Sequence, residues 1–380
     1  MHSHQPRYGT HSEMDAFKER YKYQKLVNTL EREIHLQYAP GQKFPAELDL
    51  CERFQMNRLT VHRAVTMLSD KGLLVQKGRS GTFVADFDHA GYDNRLVCAC
   101  MALRAHMWDR LYLALSHRSG LAEKFLLAVD LSDHNVPEWQ DSRIGAAAMV
   151  SRIKHCLTWH PRSLIVDFDI REVLPKLGNA QWHFRNLVIL GDMMELPDLP
   201  HVAVVKPDTV AGWELLMRAG LNAGYKRLCW YTLPWLVKEC QEVSERVCRG
   251  TSVEVRVFQD SPLVAATPPP ESLGFEGMID YVRQGVPAAI LTYFDYAAHL
   301  ILERLRKENV PVPEQVGLYG IGNTLWAIRD DLTSIAFDPD TWAAEVFRCL
   351  KKMEDSNEPL VVKIPPKLIE RSSSLPSGKV

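Results

Sequence analysis

The sequence predicts an α/β protein in two parts: an N-terminal winged helix-turn-helix, then a larger α/β domain with parallel sheets that is long enough for two lobes. Three observations carry this expectation. The chain has 380 residues, 46% of them hydrophobic, so it can bury more than one core. From Tyr21 to Asp86 it reads as helix, helix-turn-helix and a glycine-punctuated hairpin. After a polar passage, apolar strand-like runs alternate with helical stretches, the pattern of parallel sheets joined by helical crossovers.

The first helix follows from Leu26, Val27, Leu30 and Ile34, which fall at helical spacing between Tyr21 and Leu36 ahead of Pro40-Gly41. A second, short helix runs from about Ala46, after Pro45, through Leu48, Leu50, Cys51 and Phe54. The third follows Asn57, a good N-cap, places Val61, Val65 and Leu68 on its apolar side, and stops at Lys71-Gly72. LLVQK and TFVAD then flank the turn GRSG as a two-stranded wing. With the apolar side inward, Arg58, His62 and Arg63 crowd the exposed start of the third helix, the end such proteins present to base edges in the major groove. Lys77 and Arg79 stand at the wing tip, within reach of phosphate or the minor groove. A merely solvated basic face is the alternative, and the order of elements argues against it. Charge agrees in sign. Residues 1–86 hold 13 Lys+Arg against 10 Asp+Glu, while the rest of the chain holds 32 against 37, so the basic excess lies on the segment expected to meet phosphate.

Beyond DFDHAGYDN, strands are expected at RLVCACMA, EKFLLAVDL, RSLIVDF, NLVILGD, HVAVVKP, RLCWYT, SVEVRVF, AAILTYF and VGLYGIG. Ligands of such folds bind at the carboxyl ends of the strands, often between lobes. The chain has no Walker loop, no G-x-G-x-x-G after a strand, no G-x-S-x-G elbow and no H-E-x-x-H, so a binding protein is expected, neither an enzyme nor a cofactor carrier. Eight cysteines are scattered without a C-x-x-C pair. Cys98 and Cys100 share a strand face, but no partner sits at ligand spacing, and no metal is expected. No apolar run approaches the roughly 18 residues of a membrane span, and the N-terminus has no apolar signal core, so the expected location is the cytoplasm.

FPAELDLCERFQMNRLTVHRAV, followed by LSDKGLLVQKGRSGTFV, resembles the DNA-binding domain of the GntR (gluconate operon repressor) family, with its L-P-S-E-R, V-S-R-x-T-V-R-x-A and G-x-G-T-F-V signatures. The resemblance covers about Tyr21 to Val84. It implies DNA contacts from Arg58, Thr60, His62, Arg63, Lys77, Arg79 and Gly81. Three positions depart from the family pattern. Leu48 stands where the family has a DNA-contacting arginine, Ala46 replaces the neighbouring serine, and His62 replaces the arginine of T-V-R. A leucine cannot make the bidentate contact an arginine makes to guanine, so the site read is expected to differ from the family's common one.

Four later segments are similar, in order, to lactose and galactose repressor-like proteins of periplasmic-binding-protein-like fold: VVKPDTVAGWELLMRAGLNAGYKRLCWYT, AAILTYFDYAAHLILERLRKENVPVPEQVGLYGIGN, DLTSIAFDPDTWAAEVFRCL and KLIERSSS. The combination resembles the arabinose-repressor type of regulator. It implies a homodimer on double-stranded operator DNA, controlled by a small effector, sugar or polyol, held between the lobes. Asp295 matches an aspartate that commonly bonds a sugar hydroxyl, with helix capping as its alternative role; Asp208 has the same two roles open. Asn323 stands near the family's G-F-D-D aspartate, and Trp326 either stacks on a ligand or fills core. Arg104 and Trp108 occupy the first-lobe position of ligand-contacting side chains. The family's ligand-binding R-x-x-G-F arginine has no clear match, although Lys238 lies nearby. The expected organisation is a tail over 1–20, the DNA-binding domain over 21–86, a linker over 87–94, the effector-binding and dimerisation domain over 95–373, and a tail over 374–380. The competing reading keeps DNA binding but gives the second domain a degenerate pocket used only for dimerisation, or a ligand that is not a sugar.

Overall fold

In the computed structural model the described residues are 23–31, 33–34, 37–70, 73–85, 93–103, 108–135, 143–177, 184–191, 201–259 and 273–374. The helical module begins with α1 over residues 23–31. Helices α2 (Glu47–Phe54) and α3 (Arg58–Asp70) follow, then the wing strands β1 (Leu74–Gln76) and β2 (Thr82–Val84). Leu26, Leu30, Ile34, Leu50, Val65 and Leu68 close around one small core. They belong to the helical stripes read from the sequence, because a helix with apolar residues three and four apart can bury only that side. Asn57 caps α3, its Oδ1 accepting the Thr60 N–H at 2.8 Å. The end expected at Lys71-Gly72 lies outside the described residues.

The wing strands pair antiparallel, Val75 opposite Phe83. Gly81 adopts φ +107, a conformation an L side chain rarely takes, which lets the turn close with Lys77 N–H on the Gly81 carbonyl at 2.9 Å. Residues 41–44 add an edge to the wing that the sequence pattern did not reveal: Phe44 N–H donates to Thr82 O at 2.9 Å and Val84 N–H to Gln42 O at 2.8 Å.

The remaining elements in chain order are β3 (Asp93–Met101), α4 (Trp108–Leu121), β4 (Phe125–Asp130), α5 (Ala146–Leu157), β5 (Pro161–Val166), α6 (Leu174–Leu177), β6 (Asn186–Leu190) and β7 (Val202–Pro207). They continue with α7 (Thr209–Asn222), β8 (Arg227–Thr232), α8 (Val237–Val247), β9 (Glu254–Gln259), α9 (Leu273–Val282), β10 (Ala288–Thr292), α10 (Asp295–Lys307), β11 (Val316–Ile321) and α11 (Leu325–Arg329). The chain closes with β12 (Thr333–Phe337), α12 (Pro339–Asp355), β13 (Leu360–Ile364) and β14 (Pro366–Ile369). All nine strands expected in this part are present, and β12, β13 and β14 are additional.

Two six-stranded sheets result, ordered β13-β7-β6-β5-β3-β4 and β14-β12-β11-β10-β8-β9. In the second sheet β9, β8, β10, β11 and β12 run parallel, and β14 joins β12 antiparallel. Their strands are near-continuous apolar runs, buried along β8, β10 and β11, as a sheet covered on both faces requires. The chain passes between the sheets after β7, after β12 and after β13. Helix α12, which leaves β12, lies against α4, β7 and β13. Among the described residues no helix is long and apolar enough to cross a membrane.

Candidate nucleic-acid interface and ligand cavity

The first turns of α3 present Arg58, His62 and Arg63 as exposed side chains, because Val61, Ala64 and Val65 take the buried side. Neither Arg58 nor Arg63 meets a carboxylate among the described residues. His62 does: its Nδ1 lies 2.8 Å from Glu47 Oε1 at the start of α2, so its ring orientation is fixed by a neighbouring helix. The Thr60 N–H is spent on the Asn57 cap. Lys77 is exposed at the wing, its Nζ over the Phe83 ring at 5.0 Å, an arrangement that steadies a cation without neutralising it. The Arg79 backbone belongs to the turn Gly78–Ser80, and its side chain lies outside the described residues. Two leucines share this surface. Leu48 is 63% exposed and Leu59 60%, both in the first turns of their helices. Leu59 escaped the sequence reading, although it falls off the Val61, Val65, Leu68 stripe and was findable on that ground.

Asp295 opens α10 with no exposure at all. Its Oδ2 accepts the Thr324 N–H at 2.7 Å and its Oδ1 accepts the Ser334 hydroxyl at 2.6 Å, so the carboxylate ties the loop after β11 to β12. Burial pushes its carboxyl up to about 6, and the bonds from Ser334 and Thr324 pull the other way. A Cβ at Gly320 would stand 2.2 Å from Asp295 Oδ1, so the close approach of strand and carboxylate requires glycine there. Asp208 is the N-cap of α7, accepting the Ala211 N–H at 3.4 Å, and Lys363 Nζ lies 3.4 Å from it.

A cavity of about 230 Å³ opens at the carboxyl ends of β11 and β12, bordered by the start of α4, the first residues of α12, and β14. Arg110, Asn323, Trp342 and Lys367 line it. Asn323 adopts φ +47, which turns its backbone so that its carbonyl accepts from Arg110 Nη1 at 3.2 Å and its N–H meets Ser334 Oγ at 3.0 Å. Its side-chain oxygen accepts from Arg371 Nη2 at 2.6 Å. Trp342 is buried, packs edge-on against Trp108 at 5.6 Å, and donates its Nε1–H to Val205 O at 3.1 Å.

Of the described residues expected at the effector site, Asn323 alone lines this cavity, and Trp108 packs against its Trp342. Asp295 and Asp208 are engaged as described. Trp326 stacks on His299 at 4.5 Å, under the Arg329 guanidinium, and is not part of the cavity lining. Lys238 is exposed on α8, 3.9 Å from Glu242 one turn on. Arg104 lies outside the described residues. Arg110, Lys367 and Trp342 were not singled out in the sequence. Only for Arg110 is there a signal, its place in the first turn of the helix after an apolar strand.

Residues 22–84 match the family model described as "Bacterial regulatory proteins, gntR family", and residues 242–374 match that of a "Periplasmic binding protein-like domain". Over 87 residues the chain is 33% identical to the histidine utilization repressor of Klebsiella aerogenes, an alignment covering 22% of this chain and 36% of that protein. The chain therefore spans little more than a third of that relative's length. The fold is similar to a periplasmic binding protein/LacI transcriptional regulator from Alkaliphilus metalliredigens complexed with D-xylulofuranose, with TM-score 0.55 and 13% identity over 73% of this chain and 98% of that one. It is equally similar to a lac repressor dimer bound to operator and an anti-inducer, with TM-score 0.54 and 14% identity over 75% and 96% of the two chains. The chain thus carries a gntR-family helix-turn-helix domain joined to a two-lobed, periplasmic-binding-protein-like domain.

Proposed function

From a gntR-family helix-turn-helix joined to a periplasmic-binding-protein-like domain, we propose that this chain is a homodimeric, cytoplasmic transcriptional regulator of repressor type. Its hold on double-stranded operator DNA is set by a small molecule bound in the cavity beside Asn323. The observation that carries the reading is the start of α3, where Arg58 and Arg63 project with no carboxylate partner among the described residues while the helix behind them is fully packed. Unpaired cations at the N-terminal end of such a helix suit phosphate and base-edge contacts, and Lys77 and Arg79 add the wing. The DNA-binding domain takes residues 21–86 and the effector-binding, dimerising domain 95–373.

Leu48 and Leu59 make the surface more apolar than an arginine would. Apolar side chains meet the thymine methyl in the major groove, so the operator is expected to favour thymine at the bases facing α2 and α3. Two-fold symmetry of a dimer calls for two half-sites about one helical turn of DNA, or a multiple of it, apart. Repressor action accords with the names of both the gntR-type and the lac-type relatives.

The test is enrichment of bound fragments from a genomic pool, followed by fluorescence anisotropy of the enriched DNA against salt. The expected result is a linear fall of log affinity with log salt and a shared, two-fold symmetric site. Equal affinity for enriched and scrambled DNA at every salt concentration would reject sequence-specific regulation.

A further inference from the structure

We infer that the ligand of the cavity is a small organic anion, a carboxylate or phosphate ester on a compact apolar body, held by Arg110 and Lys367. The inference rests on the reading of the cavity as the effector site and gives that effector a chemical class.

A neutral sugar needs several acceptors for its hydroxyl protons, and most of the side-chain acceptors here are taken. The Asn323 side-chain oxygen receives Arg371, and its backbone carbonyl receives Arg110. At Asp338, the N-cap of α12, Oδ2 receives both the N–H and the hydroxyl of Thr341, at 2.8 and 2.5 Å, which leaves Oδ1 as the one side-chain carboxylate oxygen of the lining without a partner among the described residues. Asp295, the carboxylate that the resemblance assigned to a sugar, has no exposed surface and is bonded to Thr324 and Ser334.

The donors are in the opposite condition. Among the described residues Arg110 spends one side-chain N–H on the Asn323 carbonyl and makes no ion pair, which leaves most of its five donors unspent. The Lys367 side chain makes neither a hydrogen bond nor an ion pair among the described residues. Of the three charged groups lining the cavity two are cations, and the third, Asp338, is offset by the helix end it caps. A guanidinium and an ammonium lining one space, against a single carboxylate that caps a helix, are a receptor for carboxylate or phosphate oxygens. The rest of the lining is apolar, including Leu111, Phe337 and Trp342, and suits a short hydrocarbon or ring rather than a ring of hydroxyls. At about 230 Å³ the cavity is below the roughly 300–1,000 Å³ of sites for drug-sized ligands, so the anion is small.

The test follows thermal unfolding of the full chain at matched ionic strength with acetate, benzoate, gluconate and glycerol phosphate, and with acetamide, benzamide, glucose and glycerol as neutral counterparts. The expected result is a saturable rise in Tm with at least one anion and none with its neutral counterpart. Arg110→Gln and Lys367→Gln should each weaken that response at least about tenfold in apparent affinity, since each removes a charge-assisted contact. Lys367→Gln changes an exposed side chain, so it keeps the test open if Arg110→Gln unfolds the loop it holds. A neutral compound that stabilises as strongly as its anion overturns the anion assignment and leaves the effector reading standing. An anion response unchanged in both variants also overturns the assignment, as binding elsewhere. No response to any compound of either series overturns both.

Discussion

The start of α3 and the cavity beside Asn323 are built in opposite ways. At α3 the arginines face outward and unspent: among the described residues Arg58, Arg63 and Lys77 are exposed and held by nothing but their own backbone or a ring face. Beside Asn323 the groups that hold the loop are bonded to one another, through Asp295 to Ser334 and Thr324, through Arg371 to Asn323, and through Arg110 to the Asn323 carbonyl, while Arg110 and Lys367 keep donors to spare. A surface of the first kind contributes to binding and little to stability. A network of the second kind contributes to both, because removing one member leaves its buried partners unsatisfied. The same substitution chemistry should therefore report on different quantities in the two places.

The largest effect is expected at Trp342→Ala, which removes a buried ring packed on Trp108 and a hydrogen bond to Val205 O. A loss of about 3–5 kcal/mol of stability is predicted from equilibrium denaturation, with DNA affinity of the folded fraction unchanged. A loss below about 1 kcal/mol would mean that the cavity wall is not part of the core.

Asp295 gives the next effect, and it depends on pH. Its folded-state value of about 6 lies above the ordinary aspartate value of 3.8, so the folded protein binds this proton more tightly than the unfolded chain does. Stability from this group falls as pH rises from about 4 to about 6 and stays lower above that, by a difference on the order of 3 kcal/mol. Asp295→Asn should remove that slope from the stability–pH curve, measured by denaturant midpoints from pH 4 to 7. An unchanged slope would show that the carboxylate is not perturbed as its burial requires.

On the other side of the comparison, Asn57→Ala removes the cap of α3 and should cost about 1 kcal/mol. The smallest stability effects, within about 0.5 kcal/mol, belong to Arg58→Ala and Lys77→Ala. These two should instead weaken DNA binding, and each should lower the magnitude of the salt slope by about 0.9 for every phosphate that it leaves without its cation. If either variant shifted Tm by several degrees and left the salt slope alone, the division between the two regions would fail.

The same division explains what was legible in the sequence. Helix period fixes which side chains face out, so Arg58, His62 and Arg63 could be placed from Val61, Val65 and Leu68 alone, and Lys77 from the glycine-punctuated turn of the wing. The nine foreseen strands were readable because most are apolar runs, and β9 alternates cleanly, with turn residues at their ends. Strand β12 opens on Thr333-Ser334 and β14 on Pro366-Lys367, and β13 alternates buried and exposed positions on an edge of its sheet, so none stood out as an apolar run. The cavity was the least legible region. Arg110 and Asn323 are 213 residues apart, and Asn323 and Arg371 are 48 apart, so no local pattern joins them. The resemblance brought Asp295 forward as a ligand contact. Its neighbours Gly320 and Ser334, which enclose it, lie on two other strands. Likewise Glu47, which fixes His62, belongs to another helix, and no local spacing announces that pair.

If the two regions are coupled, what binds beside Asn323 alters what α3 holds. Coupling is tested by anisotropy of the enriched DNA with the full chain, with and without a saturating amount of the anion that most raises Tm. The expected result is a change in DNA affinity of between about fivefold and 150-fold, and the same factor in the anion's affinity when DNA is present, as linkage requires. DNA affinity unchanged by an anion that demonstrably occupies the cavity would contradict coupling.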